Sequence, residues 1–448
     1  MHRQTMDKYA YTFPITAFLL IIFVLMSFPY APFQDFGEWV YQSYIFNQLA
    51  SGHPSSEFRL VTYPVPYALS QLITSLVLTL YSPMVASKIV GMLYGLVILL
   101  AIHRLITKAK LDPLVGWVFF VSVVALNSPF WNGYMGYQFG LAILLFYLSL
   151  PLDSRTEVLP VLVFSILAFF AHGFIYVTML VFVGVYALYS RRVFQSALGL
   201  LPSLCLLIWY KLQNEGSGEL NEWFPVHAVN IIGYKIYTLL KAAPYHNIMA
   251  FDVSAVDHFG PFYFVLGMLI DLMFIVSLGV LAYTAVRQSS LRTIVSKPEF
   301  VIAAILLLVA VALPPVVFGI VNPGERVLYP ALIALAMALY PAYPAVKLPS
   351  APKAALAASL IGGYGLLAAA LVPVVGGEFY QQKRDSYQPR PAGNEGGPPG
   401  TILFGHRLMQ FDSKMKAAEQ AWQSGTMPTA PLAFDTALIL PEGKSSTR

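Results

Sequence analysis

The chain has 448 residues, of which 57% are hydrophobic and only 11% are charged, and its formal net charge at pH 7 is +5. Its mean hydropathy is +0.66. Soluble domains carry about 25% charged residues, so this composition excludes a water-soluble globular protein. It predicts an all-α membrane protein that crosses the bilayer many times.

The first apolar stretch follows a basic lead that contains Arg3 and Lys8. It resembles a secretory signal peptide, but no small-residue cleavage site follows it, so we interpret it as an uncleaved first span. A membrane helix needs about 20 mostly apolar residues. Eleven spans are predicted: 11–30, 84–104, 114–128, 138–152, 157–171, 173–190, 194–210, 261–286, 299–320, 326–346 and 353–375.

The placement of Lys and Arg predicts the orientation of these spans, because cytoplasmic loops are enriched in both. With the N-terminus in the cytoplasm, the basic loops "HRLITKAK", "DSR", "SRR", "RQSSLRTIVSKP" and "KLPSAPK" all lie inside. This alternation requires a single crossing between residues 30 and 103. The apolar stretch 64–82, which begins near "YPVPY", is therefore interpreted as a re-entrant or interfacial piece. The C-terminus then lies outside, and we expect a bacterial inner or plasma membrane.

The same topology predicts the domain organisation. Residues 1–375 form a transmembrane module with long outer loops at 31–83 and 211–260, and residues 376–448 form a short extracytoplasmic tail.

Two acids, Asp35 and Glu38, stand at the start of the first outer loop in "QDFGEWVYQ". On a helix over 35–49 they share one face with Gln42, within about 60° of one another. One interpretation is that Asp35 caps the helix. The other is that a partly desolvated carboxylate at the membrane surface takes a proton from a hydroxyl nucleophile.

A first span, an outer loop opening with an acid, a helix ending in "LASGHP" and an apolar piece from "YPVPYALSQLI" together resemble the GT-C membrane glycosyltransferases. The resemblance implies a bundle of about 11 transmembrane helices, with interfacial helices in the first outer loop and a lipid-linked sugar as donor. It implies that Asp35 is the general base and that Glu38 supports it or replaces it. The adjacent acid pair usual in that family is absent here, because "FG" separates the two acids.

The second outer loop, "NSPFWNGYMGYQFG", combines amides with aromatic residues: Asn132, Tyr134, Tyr137 and Gln138. Amides and phenols bind sugar hydroxyls, and aromatic faces stack on sugar rings. The alternative is an aromatic belt at the membrane interface. The loop resembles the second outer loop of GT-C enzymes, which implies a substrate-lining role.

Three further residues are candidates for binding substrate. His172, in "FFAHGFIYV", stands between two spans, and one interpretation is a structural histidine. The other is that the His-Gly pair, which resembles a recurrent feature of GT-C enzymes at this place, binds a phosphate or an acceptor hydroxyl. Arg326 opens a span from the outside, where it suits the phosphate of a lipid carrier; the alternatives are a salt bridge to Glu325 and simple snorkelling. Lys235 and Lys241 lie on an amphipathic stretch, where Lys235 could bind a lipid headgroup and both suit a solvated surface.

Metal binding stays open, because Asp, Glu and His suit a divalent ion but no ligand spacing here defines a site. Asp271 lies inside a predicted span and is an intramembrane acid for which Lys88 is a candidate partner. No Walker motif is present, and no folded basic domain supports nucleic-acid binding.

We therefore expect transfer of a sugar from a polyprenyl-phosphate donor to a hydroxyl of a glycan, lipid or protein, with inversion. Membrane lipids are the other partners. A transporter or flippase is the alternative, for which Asp271 and Lys88 provide mid-membrane charge. A lipid-linked glycan polymerase or ligase is less favoured, because such enzymes rely on arginines in a large outer loop and 211–260 contains none.

Overall fold

The computed structural model describes residues 12–33, 35–213, 228–247, 259–314, 316–317, 320–339, 348–370, 404–430, 432 and 438–441. These residues contain 18 α-helices and four strands of two or three residues each. The prediction of an all-α protein is therefore confirmed. Much of the outer loop 211–260 and of the tail 376–448 lies outside the described residues.

The helices of the N-terminal half are α1 (Thr12–Met26), α2 (Phe36–Ala50), α3 (Ala68–Leu78), α4 (Pro83–Ala109), α5 (Pro113–Phe120), α6 (Ser128–Trp131), α7 (Met135–Leu148), α8 (Val158–Ala171), α9 (Gly173–Ser190) and α10 (Val193–Gln213). Those of the C-terminal half are α11 (Ala228–Leu240), α12 (Pro244–Asn247), α13 (Pro261–Ser289), α14 (Leu291–Val295), α15 (Pro298–Ala312), α16 (Pro323–Leu339), α17 (Ser350–Ala370) and α18 (Phe404–Ser424). The strands are β1 (Phe58–Leu60), β2 (Val316–Val317), β3 (Ile320–Val321) and β4 (Ile439–Pro441).

Five helices in the described part of the chain are long and apolar enough to cross a membrane: α4, α9, α10, α13 and α17. Seven further apolar stretches of 10–17 helical residues accompany them. The chain is thus a membrane protein, while the count of eleven spans remains a prediction. Helix α3, which occupies most of 64–82, has 11 residues. It rises about 16 Å, roughly half the thickness of a bilayer core, so it does not cross by itself.

The outward faces of the spanning helices are apolar. Phe194 on α10 and Phe262 on α13 are 81% and 75% exposed, and Leu188 on α9 is 71% exposed. Large apolar side chains exposed in this way suit contact with lipid tails.

The first outer loop and the C-terminal residues come together. Strand β1 pairs antiparallel with β4, with Phe58 opposite Pro441 and Leu60 opposite Ile439. Helix α18 packs against α2. The loop after the first helix and residues from the C-terminal part of the chain are therefore in direct contact.

Asp271 on α13 has a different partner from the one considered in the sequence. Its carboxylate accepts hydrogen bonds from the backbone N–H groups of Tyr245 (2.8 Å) and His246 (3.0 Å) at the start of α12. It also contacts the His246 ring. The pairing with Lys88 is therefore wrong. The buried acid satisfies a helix N-terminus, where free N–H groups favour a carboxylate.

Candidate functional site

Asp35 occupies the N-cap position of α2, and its side chain makes no capping hydrogen bond. The residue is 9% exposed, and its backbone N–H donates to the carbonyl oxygen of Asn132 at 2.9 Å. The interpretation of Asp35 as a capping side chain therefore loses its main support. The start of α2 is instead joined to the second outer loop through the backbone.

Gly133 allows this close approach. Its φ of +80° is a conformation that favours glycine, and a Cβ at this position would lie 2.6 Å from the backbone nitrogen of Phe36 and 3.0 Å from that of Asp35. Backbone atoms cannot yield as the end of a flexible side chain can. The turn beside α2 therefore requires glycine.

The next residue of this turn, Tyr134, contacts Arg326. The guanidinium carbon of Arg326 lies 4.6 Å from the centre of the Tyr134 ring and 5.9 Å from that of Phe174. Tyr137 donates its hydroxyl hydrogen to the backbone oxygen of Arg326 at 2.7 Å. Arginine stacks well on aromatic faces, and such contacts strengthen where water is excluded. Arg326, at the start of α16, is thus held by the second outer loop.

His172 joins the same cluster. The Tyr67 and Tyr137 rings meet its ring edge-on, with centroids 4.6 Å and 5.2 Å away. Its Nδ1 accepts the backbone N–H of Phe174 at 3.1 Å, so that nitrogen carries no proton. Burial, and then the Arg326 charge, holds the pKa of His172 well below its usual value. His172 is therefore a neutral ring with its hydrogen on Nε2, which suits a hydrogen-bond donor and not a general base.

Tyr67 is a member of this cluster that the sequence did not single out. It has φ +76° and ψ −3°, a left-handed conformation that is uncommon for a bulky residue. Strained backbone of this kind is often found at functional sites. Burial raises the pKa of the Tyr67 hydroxyl, and the nearby Arg326 charge lowers it. The "YPVPY" motif was the available signal, since proline restricts the chain just before Tyr67.

Glu38 lies in the first turn of α2 and is fully buried. Its Oε1 accepts from Gln42 Nε2 at 2.9 Å, and Gln71 on α3 in turn donates to Gln42 at 2.7 Å. Its Oε2 lies 3.8 Å from Lys414 Nζ. These contacts engage both carboxylate oxygens of Glu38 with neighbouring side chains. They therefore favour a role in holding the first turn of α2 over the role of general base.

A buried ion pair lies beside Arg326. Lys241 Nζ is 2.8 Å from Glu325 Oε2, and Glu325 also accepts from Asn322 (2.9 Å) and Tyr329 (3.3 Å). Burial opposes the charge on Lys241, yet the Glu325 carboxylate raises the pKa of Lys241 above its ordinary value. The interpretation of Lys241 as a solvated surface lysine is therefore wrong.

The side chains of three predicted substrate-binding residues bond to other residues of the protein. Gln138 is buried, and its amide contacts the Tyr94 hydroxyl (2.9 Å) and the Asn127 side chain. Lys235 Nζ donates to the carbonyl oxygens of Ala310 (3.3 Å) and Leu313 at the C-terminal end of α15. The Asn132 side chain donates to Ser128 Oγ at 3.2 Å, although its backbone oxygen meets Asp35.

The turn of residues 132–134 therefore contacts both the acid Asp35 and the cation Arg326, and Tyr137 contacts both Arg326 and the hydrogen-bond donor His172. Across the described ranges, no three His, Cys, Asp or Glu side chains are grouped so that they could hold a metal ion. Comparisons with family models, curated proteins and solved structures find no match to the chain. Its function must therefore be argued from this geometry.

Proposed function

We propose that the chain is a GT-C-type membrane glycosyltransferase. It would transfer a sugar from a polyprenyl-phosphate donor to a hydroxyl of a glycan, lipid or protein on the extracytoplasmic face. One observation carries the proposal: the turn of residues 132–134 contacts Asp35 at one end, through the Asn132 carbonyl, and Arg326 at the other, through the Tyr134 ring. A base and a phosphate-binding cation are thus joined by three residues.

In the proposed reaction, the Asp35 carboxylate accepts the proton of the acceptor hydroxyl as its oxygen attacks the anomeric carbon. The bond between that carbon and the phosphate oxygen breaks, and the lipid phosphate leaves with the electron pair. In-line attack inverts the configuration. Arg326 binds the phosphate with its planar fork and stabilises the negative charge that grows there. One such charge in a dry site is worth about 3–4 kcal/mol in the transition state.

The other residues have supporting roles in this proposal. His172 donates from Nε2 to a phosphate or sugar oxygen, and Tyr134 and Tyr137 hold Arg326 in place. Glu38 supports the first turn of α2 and does not replace Asp35. Asn132 acts through its backbone, whereas Lys235 and Gln138 stabilise the surrounding helices.

The transporter alternative has less support, because it depended on mid-membrane charge. Asp271 contacts the backbone N–H groups of α12 and the ring of His246.

The membrane arrangement proposed with the enzyme is eleven spans in a bacterial inner or plasma membrane, with the N-terminus inside and the tail outside.

The test is sugar transfer by the purified protein in liposomes, with synthetic polyprenyl-phosphate sugars as donors. We expect Asp35→Asn to lower kcat by about 100-fold or more, because the general base is lost. Glu57→Gln is the matched control, since Glu57 is an exposed acid of the same loop, and it should keep full activity.

Arg326→Lys tests the phosphate contact separately. It keeps the positive charge but removes the planar guanidinium group, which makes two parallel hydrogen bonds to a phosphate, so it should weaken donor binding more than it affects folding.

Full activity of a folded Asp35→Asn variant would show that Asp35 is not the general base. A wild-type protein that transfers no sugar from any such donor would remove the proposed function.

A further inference from the structure

The C-terminal segment, meaning the described residues 404–430 and 438–441, is bound to α2 at several points. The Tyr41 hydroxyl donates to the carbonyl of Ala430 at 2.6 Å, and that of Tyr44 donates to Thr426 at 3.3 Å. Strand β4 pairs with β1, and β1 begins eight residues after the end of α2. Contacts from the far end of the chain thus hold the helix that begins next to Asp35.

Lys414 is a charged residue of α18 that points into this contact. It is only 6% exposed, its Nζ lies 3.8 Å from Glu38 Oε2, and it stands 4.7 Å above the centre of the Tyr41 ring. Lysine is rarely buried to this extent unless it is paired. Burial lowers the pKa of Lys414, and the Glu38 carboxylate raises it. The ammonium group is therefore placed against one acid and one aromatic ring.

Glu38 links this lysine to the candidate base. It lies three residues after Asp35, on the first turn of α2, so the two acids are on neighbouring positions of one helix face. The bonds from Glu38 to Gln42 and from Gln42 to Gln71 tie that turn to α3. Removing Lys414 would leave the charge of a fully buried carboxylate without this partner, which is strongly unfavourable.

We propose that Lys414 is a positioning residue, which fixes the first turn of α2 through Glu38 and so sets the position of Asp35. The consequence for catalysis rests on the proposed function, whereas the consequence for the order of α2 does not. In this view the C-terminal segment is part of the active enzyme, and it completes the site from the other end of the sequence.

The experiment compares four variants of the full-length protein in detergent and in liposomes: Lys414→Met, Lys414→Arg, Lys416→Met and the double variant Glu38→Gln/Lys414→Met. Lys416 is an exposed lysine of the same helix, so Lys416→Met is the matched control. Two quantities are measured for each: hydrogen exchange of peptides that cover residues 35–50, and kcat for sugar transfer per folded molecule.

We expect Lys414→Met to speed exchange at 35–50 and to lower kcat by about 10- to 100-fold, since a misplaced catalytic group costs about that much. Lys414→Arg keeps the charge and should retain most of kcat. The double variant removes both charges, so it should recover activity relative to Lys414→Met alone. A lysine that only stabilises the tail would lower the amount of folded protein and leave kcat per folded molecule unchanged.

Unchanged exchange at 35–50 and unchanged kcat in Lys414→Met would overturn the inference. So would a double variant that is less active than Lys414→Met, because the two residues would then act independently. If Lys414→Met does not fold, the double variant and Lys414→Arg still decide the question by the same two measurements. If the wild type shows no transfer but exchange at 35–50 rises in Lys414→Met alone, the proposed function fails and the positioning role stands.

Discussion

The hydroxyl of Tyr137 donates to the backbone oxygen of Arg326 at 2.7 Å, and this bond joins the start of α7 to the start of α16. A second tyrosine makes the same kind of bond at the other end of α7, where Tyr147 donates to the backbone oxygen of Arg155, also at 2.7 Å. Both tyrosines are fully buried. One helix therefore carries two equivalent bonds, of which only one touches the candidate site.

This pair provides the first prediction. Tyr137→Phe and Tyr147→Phe should each lower the free energy of unfolding by about 1 kcal/mol, the usual worth of a buried hydrogen bond. Only Tyr137→Phe should also weaken donor binding, by about two- to tenfold, since it loosens the backbone of Arg326. Thermal unfolding and KM for the polyprenyl-phosphate sugar measure the two effects. Equal KM values for the two variants would contradict the link between Tyr137 and the site.

The second prediction concerns Gly133. In Gly133→Ala the new methyl group would lie 2.6 Å from the Phe36 nitrogen, in a left-handed conformation that alanine adopts poorly. We expect the free energy of unfolding to fall by several kcal/mol. If the variant still folds, we expect the amount of active protein to fall by more than about tenfold. Gly184→Ala is the control, because a Cβ there meets nothing within 4 Å inside α9. A Gly133→Ala variant that resembles Gly184→Ala would show that the turn and α2 need not approach so closely.

The membrane class and the helical fold could be predicted because they depend on composition and on apolar stretches that are local in sequence. Asp35 and Arg326 could be singled out for the same reason, since each is a charge that stands at the edge of an apolar run. The burial of Lys241 and Lys414 could not, because it depends on acids that are distant in sequence. Lys241 meets Glu325, 84 residues further on, and Lys414 meets Glu38 from the opposite end of the chain. A lysine on a polar helix has the same local pattern whether its partner is water or a buried carboxylate.

The third prediction concerns the ion pair of Lys241 and Glu325. Lys241→Met would leave the Glu325 carboxylate buried with one donor fewer, so we expect it to lower the free energy of unfolding by about 3–5 kcal/mol. The double variant Lys241→Met/Glu325→Gln should lose clearly less than the sum of the two single changes. Lys108→Met, on the exposed face of α4, should change stability by no more than about 0.5 kcal/mol. Unfolding in a denaturing detergent series measures all four, and strict additivity would mean that the two charges do not interact.

The fourth prediction is a pH dependence that originates at His172. Burial, and then the Arg326 charge, lowers the pKa of His172 in the folded state, whereas the pKa of histidine in an unfolded chain is about 6.5. As the pH falls below that value, His172 binds a proton in the unfolded chain but not in the folded protein. The free energy of unfolding therefore falls with the pH. The slope is at most about 1.4 kcal/mol per pH unit, and because the unfolded histidine is already half protonated at about pH 6.5, the loss between about pH 6.5 and pH 5 is at most about 1.6 kcal/mol.

His172→Asn should remove this contribution while keeping a side-chain acceptor for the Phe174 N–H, because asparagine is a good N-cap residue. His53→Asn is the matched control, since His53 is exposed, and it should keep the wild-type slope. The measurement is the thermal unfolding midpoint of the three proteins in one detergent from pH 8 to about pH 5, the range in which histidine titrates. If His172→Asn and wild type lose stability in parallel, then His172 accepts a proton in the folded state. It would then be a cation at acidic pH, and its proposed role as a neutral donor beside Arg326 would have to be abandoned.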